Sequence, residues 1–190
     1  METDQPHVIT PELARKLNWL RASVLGANDG IVSTAGIVMG VAGATTDNSA
    51  ILIAGIAALV AGSISMAGGE YASVSAQRDS EIASRLKQAG AKSKSSKDEH
   101  VSPIAAAFAS FISFALGSVL PIVAISGPWV EYRETATIVS VVISLAITGY
   151  VAARIGEAKP LRPVLRNVVV SLLTMAAAYG VGTLLGVAVG

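Results

Sequence analysis

Three side chains stand out for chemistry because a metal-binding donor falls where lipid, rather than water, is the expected surrounding: Asp29, Met66 and Glu70. Asp29 is the only charge in residues 22–46. It sits about eight residues, hence about 12 Å, inside an otherwise apolar segment, where an ionisable group costs about 2.5 to 3.5 kcal/mol. Something must offset that. One reading is a carboxyl that is protonated, or bonded to Asn28 or a neighbouring helix, and only fixes packing. The other is a cation site in which a proton and a metal ion compete for one carboxyl.

Met66 and Glu70 are four residues apart and Ser63 is three before Met66, so on a helix thioether, carboxylate and hydroxyl share a stripe. Counted from the polar turn at Thr45–Ser49, Met66 lies about 24 Å along its helix, which returns it to within about two turns of the Asp29 level. A lone Met in a membrane helix is ordinarily packing. Beside two acids at matching depth it becomes a candidate soft ligand. A hard carboxylate with a soft thioether suits a borderline dication such as Fe²⁺ or Mn²⁺ better than Mg²⁺ or Ca²⁺, which take oxygen throughout.

The elements that must position these groups follow from the charge spacing. Residues 48–69, 101–130, 135–153 and 167–190 contain no Asp, Glu, Lys or Arg, and 22–46 contain only Asp29. About 20 helical residues cross the hydrocarbon core, so five spans are expected, at about 22–44, 49–71, 102–126, 135–154 and 167–189. The 190 residues are 52% hydrophobic and 14% charged with mean hydropathy +0.60, which excludes a water-soluble globule and predicts an all-α integral membrane protein. Thirteen of the fourteen Lys and Arg residues fall in the N-terminal segment and in the second and fourth connectors, and Arg133 alone in the third. The positive-inside rule then predicts a cytosolic N-terminus and an external or luminal C-terminus.

Local signals set the boundaries. Asn48 or Ser49 can cap the second helix. Beyond Tyr71 the helical pattern continues, with Ile82 and Leu86 at i, i+4 and Glu81 facing Arg85, until Gly90. Residues 72–101 thus read as a cytosolic helical extension followed by a polar Lys and Ser linker. Ser102 and Pro103 read as cap and first turn of the third span, Pro121 is expected to kink that span, and Pro160 and Pro163 mark the fourth connector as a turn. Gly26 with Gly30, Gly36 with Gly40, and Gly62, Gly68 and Gly69 allow close helix approach, either within the chain or at a homodimer seam. Residues 1–20 read as a cytosolic tail without a cleavable signal peptide.

Several function classes are excluded. A net charge of +1 with dispersed basic residues argues against nucleic acid as a partner. The absence of cysteine removes disulfides, thiol catalysis and Cys-ligated metal. No phosphate loop, HExxH or GxSxG motif is present, so neither an enzyme nor a cofactor is expected. Asp79 and Glu81, the Asp98, Glu99 and His100 cluster, and His7 read as solvated groups. Lys92, Lys94 and Lys97 read as resting near anionic headgroups.

The segments LGANDGIVST (Leu25 to Thr34), VAGSISMAGGEYASVSAQRD (Val60 to Asp79) and AAAYGVGTLLG (Ala176 to Gly186), with the Pro121 span, resemble the vacuolar iron transporter family, nodulin-like branch. The resemblance runs through all five spans. It implies a homodimer of five-helix subunits that exports Fe²⁺ or Mn²⁺ from the cytosol by proton antiport, with Asp29 and Met66 as mid-membrane metal ligands. A glutamate that iron transporters of plants and protozoa carry eight residues before the methionine falls at Ala58, and Glu70 is the acid placed to compensate. The long Glu- and Met-rich cytosolic domain of the family is reduced to residues 72–101, which implies weaker metal capture. The host membrane is expected to be the cytoplasmic membrane in a bacterium, or a vacuolar or other endomembrane in a eukaryote. A rival reading keeps Asp29 as a packing acid and makes the chain a non-transporting scaffold or metal sensor that recruits a partner through the short loop.

Overall fold

The structure is a computed structural model that describes residues 11–89, 102–155 and 159–189. The described chain is helical, with five long helices: α1 (Pro11–Ala44), α2 (Asn48–Ala89), α3 (Pro103–Ile125), α4 (Arg133–Ile155) and α5 (Leu161–Val189). A single 3₁₀ turn, Val130–Tyr132, leads into α4. All five are long and apolar enough to cross a membrane, over Leu17–Ala44, Asn48–Ser84, Pro103–Ile125, Val130–Arg154 and Leu161–Ala188. The all-helical, five-span class expected from the charge spacing is the class observed.

α1 is the hub, packed against each of the other four long helices. Its buried stripe of Ile31, Ala35, Val38, Met39 and Ala42 forms one core with Ile51, Ile125, Val141, Leu145 and Met175 from the surrounding helices. The α1–α3 crossing is close because small residues face backbone. A methyl group at Gly26 would stand 2.7 Å from Ser110 O, and one at Gly117 would stand 2.5 Å from Ala27 O. Hydroxyls reinforce the crossing: Thr34 Oγ1 donates to Ser118 Oγ at 2.9 Å, and Ser118 Oγ donates to Gly30 O at 3.2 Å. On the opposite side Gly40 and Gly182 bring α1 and α5 together. The small pairs in α1 therefore serve packing within the chain, whereas Gly68 and Gly69 face open space.

Elsewhere the bundle is dressed for lipid. Ile53, Ile64, Leu184 and Val187 stand exposed on α2 and α5, as expected where hydrocarbon replaces water outside. At 42 residues, α2 is about 63 Å long, about twice the hydrocarbon thickness, so a large part of it projects beyond the membrane.

The two ends of the bundle differ. The basic end carries Arg21, Arg154, Arg162 and Arg166; the turn end holds the α1–α2 turn and Arg133. Arg133, 4% exposed, donates from Nη1 to Asn48 Oδ1 at 2.9 Å and to Thr46 O at 3.3 Å, and from Nε to Glu134 Oε1 at 3.1 Å. It clasps the α1–α2 turn to the start of α4.

Several local expectations are revised. Asp47, not Asn48 or Ser49, caps α2: it accepts from Ser49 N at 2.9 Å because it directly precedes the first helical residue, and Asn48 is occupied by Arg133. Pro163 lies within the first turn of α5, where a proline's missing N–H is harmless, so α5 begins at Leu161 rather than near 167. α1 likewise starts at Pro11, making part of the expected tail helical. Ser102 caps α3 as expected, accepting from Ala105 N at 3.3 Å, and α3 continues past Pro121. Glu81 accepts from Gln77 Nε2 at 3.0 Å, and the Arg85 side chain, Gly90, His7, Lys92, Lys94, Lys97 and the Asp98, Glu99 and His100 cluster lie outside the described residues.

Candidate metal site

Asp29, Met66 and Glu70 line one groove, of about 460 Å³, between α1 and α2. Helical period places them. Leu25, Asp29, Ser33 and Ile37 recur every four residues on α1, and Ala58, Ala61, Gly62, Ser65, Met66, Gly69 and Glu70 make the facing stripe of α2. Phe114 of α3 forms the floor, its ring against Gly62. Small residues on α2 keep the groove open, with room for an ion and several waters at about 30 Å³ each. Ala58 is on the same wall.

Asp29 is half-buried, and its carboxylate accepts from Ser33 Oγ at 2.9 Å; the same hydroxyl lies 2.5 Å from Asp29 O, one turn back. A single hydroxyl donor leaves most of the carboxylate's acceptor capacity unused. Met66 is half-buried beside it. Glu70 is only 6% exposed, and its Oε1 accepts from Arg21 Nη2 at 2.5 Å. Arg21, whose side chain is 52% exposed, also donates to Asn18 Oδ1 at 3.3 Å. The acid nearest the basic end thus already has a counter-ion, a partner that spacing along one helix could not reveal.

The hydroxyls are arranged differently from the expected stripe. Ser63 is fully buried and donates to Leu59 O at 2.7 Å, away from the groove, while Ser65 and Ser33 line it. Ser33 was discoverable, since it stands four residues after Asp29 on one helix. Among the described residues no three His, Cys, Asp or Glu side chains gather in a way that could hold a metal ion. One chain therefore offers a carboxylate, a thioether, hydroxyls and an acid held by arginine. That is a sparse set of donors for a dication that takes about six.

Long apolar helices enclosing an acid-bearing groove define a polytopic α-helical membrane protein. Comparison with known proteins sharpens this. The VIT family model matches residues 20–98 and 84–183, and the chain belongs to the VIT family. It is 37% identical over 188 residues to vacuolar iron transporter homolog 4 of Arabidopsis thaliana, covering 98% of this chain and 92% of that protein. It is 39% identical over 184 residues to vacuolar iron transporter homolog 5 of Oryza sativa subsp. japonica, covering 95% and 88%. VIT-like transporter 1b of Glycine max is 32% identical over 195 residues, covering 98% and 84%. The family membership expected from the NDGIVST and GEYASVSAQRD segments is thereby established.

Proposed function

We propose that this chain is a divalent-metal transporter that moves Fe²⁺ or Mn²⁺ out of the cytosol in exchange for protons, in an endomembrane or the cytoplasmic membrane according to its host. The observation that carries the reading is the shared groove: Asp29, Met66 and Glu70 come from two helices and two distant parts of the chain, yet line one acid-bearing recess within the spans. Relatives bearing the name vacuolar iron transporter homolog add weight to the choice of iron.

Asp29 is the central ligand. Hydrogen-bonded by Ser33, it exchanges a proton for the metal ion, so that one carboxyl serves cargo and counter-ion in turn. Met66 adds a thioether that favours borderline over hard dications. Glu70 stands toward the basic end, which the positive-inside rule assigns to the cytosol, and receives the ion as Arg21 swings off into water. Alternating exposure of the groove to the two sides converts this exchange into transport.

A homodimer completes the site. The α1 face bearing Asp29 also carries Leu25 and Ile37, both exposed in the single chain, and an acid-bearing recess facing hydrocarbon is costly. A second copy across α1 covers that face and doubles the donor set to a number a dication requires.

The deciding experiment is flux in proteoliposomes. Asp29→Asn keeps the shape and removes the exchangeable carboxyl, so Mn²⁺ and Fe²⁺ uptake and the accompanying proton flux should both disappear while the protein elutes as the wild type does. Normal flux in that variant removes Asp29 from the mechanism. A wild type with no metal-dependent proton flux leaves the scaffold or sensor reading in its place.

A further inference from the structure

A second groove lies at the basic end of α1, where α1, α4 and α5 meet, with a volume of about 460 Å³. Its lining is mixed: Leu20, Val24, Ala152 and Pro163 are apolar, and Arg21, Asn28, Arg166 and Asn167 are polar. The position is informative as well. Arg21 and Arg166 each immediately precede a long stretch with at most one charge, 22–46 and 167–190, so both lie where hydrocarbon gives way to headgroups. Arg166 is exposed and has no carboxylate partner among the described residues, and Arg154, Lys159 and Arg162 stand exposed nearby in sequence on the same end.

We infer that this groove is a binding site for one anionic phospholipid, whose phosphate is held by Arg166 with Asn167 beside it and whose acyl chain lies along Leu20, Val24 and Ala152. Charge complementarity selects the headgroup: a planar guanidinium with an amide beside it pairs with phosphate oxygens through charge-assisted hydrogen bonds. The apolar wall selects a lipid over a free anion, since inorganic phosphate would leave that wall uncovered. Basic pockets between helices at the membrane surface hold anionic headgroups for the same reason. The proposal stands apart from the transport reading, because it concerns the α4–α5 side of α1 and requires no metal. It does meet that reading at Arg21, which lines this groove and bonds Glu70 of the other.

The test is native mass spectrometry of the purified full chain, stripped of lipid in detergent and titrated with phosphatidylglycerol or phosphatidylcholine. One phosphatidylglycerol should stay bound per chain under conditions that release phosphatidylcholine. Arg166→Gln should weaken its retention about tenfold, the loss of one charge-assisted contact. Arg162→Gln, whose side chain does not line the groove, should leave it unchanged. Ala152→Phe, which fills the apolar wall and keeps every charge, should also weaken retention. Equal retention of the two lipids overturns the proposal in the wild type alone, without recourse to any variant. Equal losses for Arg162→Gln and Arg166→Gln reduce the effect to diffuse charge and overturn it too. Inorganic phosphate that stabilises the protein to heat as much as phosphatidylglycerol does makes the ligand a free anion and rejects the lipid.

Discussion

Arg21 and Glu70 are unequal partners, and their inequality predicts an asymmetric response to mutation. Glu70 is 6% exposed and Arg21 52% exposed, with 2.5 Å between their nearest atoms. Removing Arg21 leaves a carboxylate in a nearly dry position without its counter-ion. Breaking a fully buried pair in this way costs about 3 to 5 kcal/mol. Water reaches the Arg21 side, so screening reduces the expected loss for Arg21→Ala to about 2 kcal/mol. Removing the acid instead frees a guanidinium that turns into solvent, and the amide of Glu70→Gln still accepts a hydrogen bond. The expected loss there is about 0.5 to 1 kcal/mol. The double variant should resemble Glu70→Gln alone, since no buried charge is then left unpaired. Thermal unfolding in detergent with a chelator present isolates this effect from metal binding, and a difference of about 1 kcal/mol moves a midpoint by about 2 to 4 °C in a chain of this size. Glu70→Gln losing as much as Arg21→Ala, or two losses that simply add, would refute the reasoning.

Further outcomes follow from packing and hydrogen bonding. Gly30→Ala should lower thermal stability by about 1 to 3 kcal/mol, because its methyl group would press on the Phe114 backbone, whereas Gly68→Ala, with nothing within 4 Å, should be neutral or gain up to about 1 kcal/mol from helix propensity. Arg133→Ala should destabilise by about 2 to 4 kcal/mol in the same assay, and Arg133→Lys should not restore the loss because an ammonium cannot span Asn48, Thr46 and Glu134 together. Ser33→Ala removes the side-chain donor to Asp29, and metal-titrated flux should show an apparent affinity changed about fivefold with the maximal rate largely kept.

The spans and the candidate ligands were legible because both depend on distance along one axis. Counting 1.5 Å per residue from a charge boundary gives the depth of Asp29 and Met66, and i, i+4 spacing puts Met66 and Glu70 on one face. What escaped the sequence depends on how helices are rotated about their axes. The Arg21–Glu70 pair spans 49 positions and needs α1 and α2 to turn the right faces toward each other, which no single-helix period encodes. The same rotation buries Ser63 and brings Ser65 into the groove. Asp47, Asn48 and Ser49 are all good capping types, so the sequence does not single out the cap of α2. The start of the helix at Asn48 decides it, and Asn48 itself is bound by Arg133. A proline in a first helical turn and one in a loop look alike in sequence, so Pro163 reads as a turn until the helix around it is seen.

The guanidinium at the turn end is sealed from solvent, while the one at the basic end is half wetted. A dry fastening of the α1–α2 turn to α4 and a wet one between α1 and α2 do not loosen together. Water competes for Arg21 at every moment and hardly reaches Arg133, so α1 and α2 should part first at the basic end and swing about the turn like tongs about their rivet. Hydrogen exchange should accordingly run faster at Glu70 than at Ile51, the buried residue whose amide bonds Asp47 O at the start of α2.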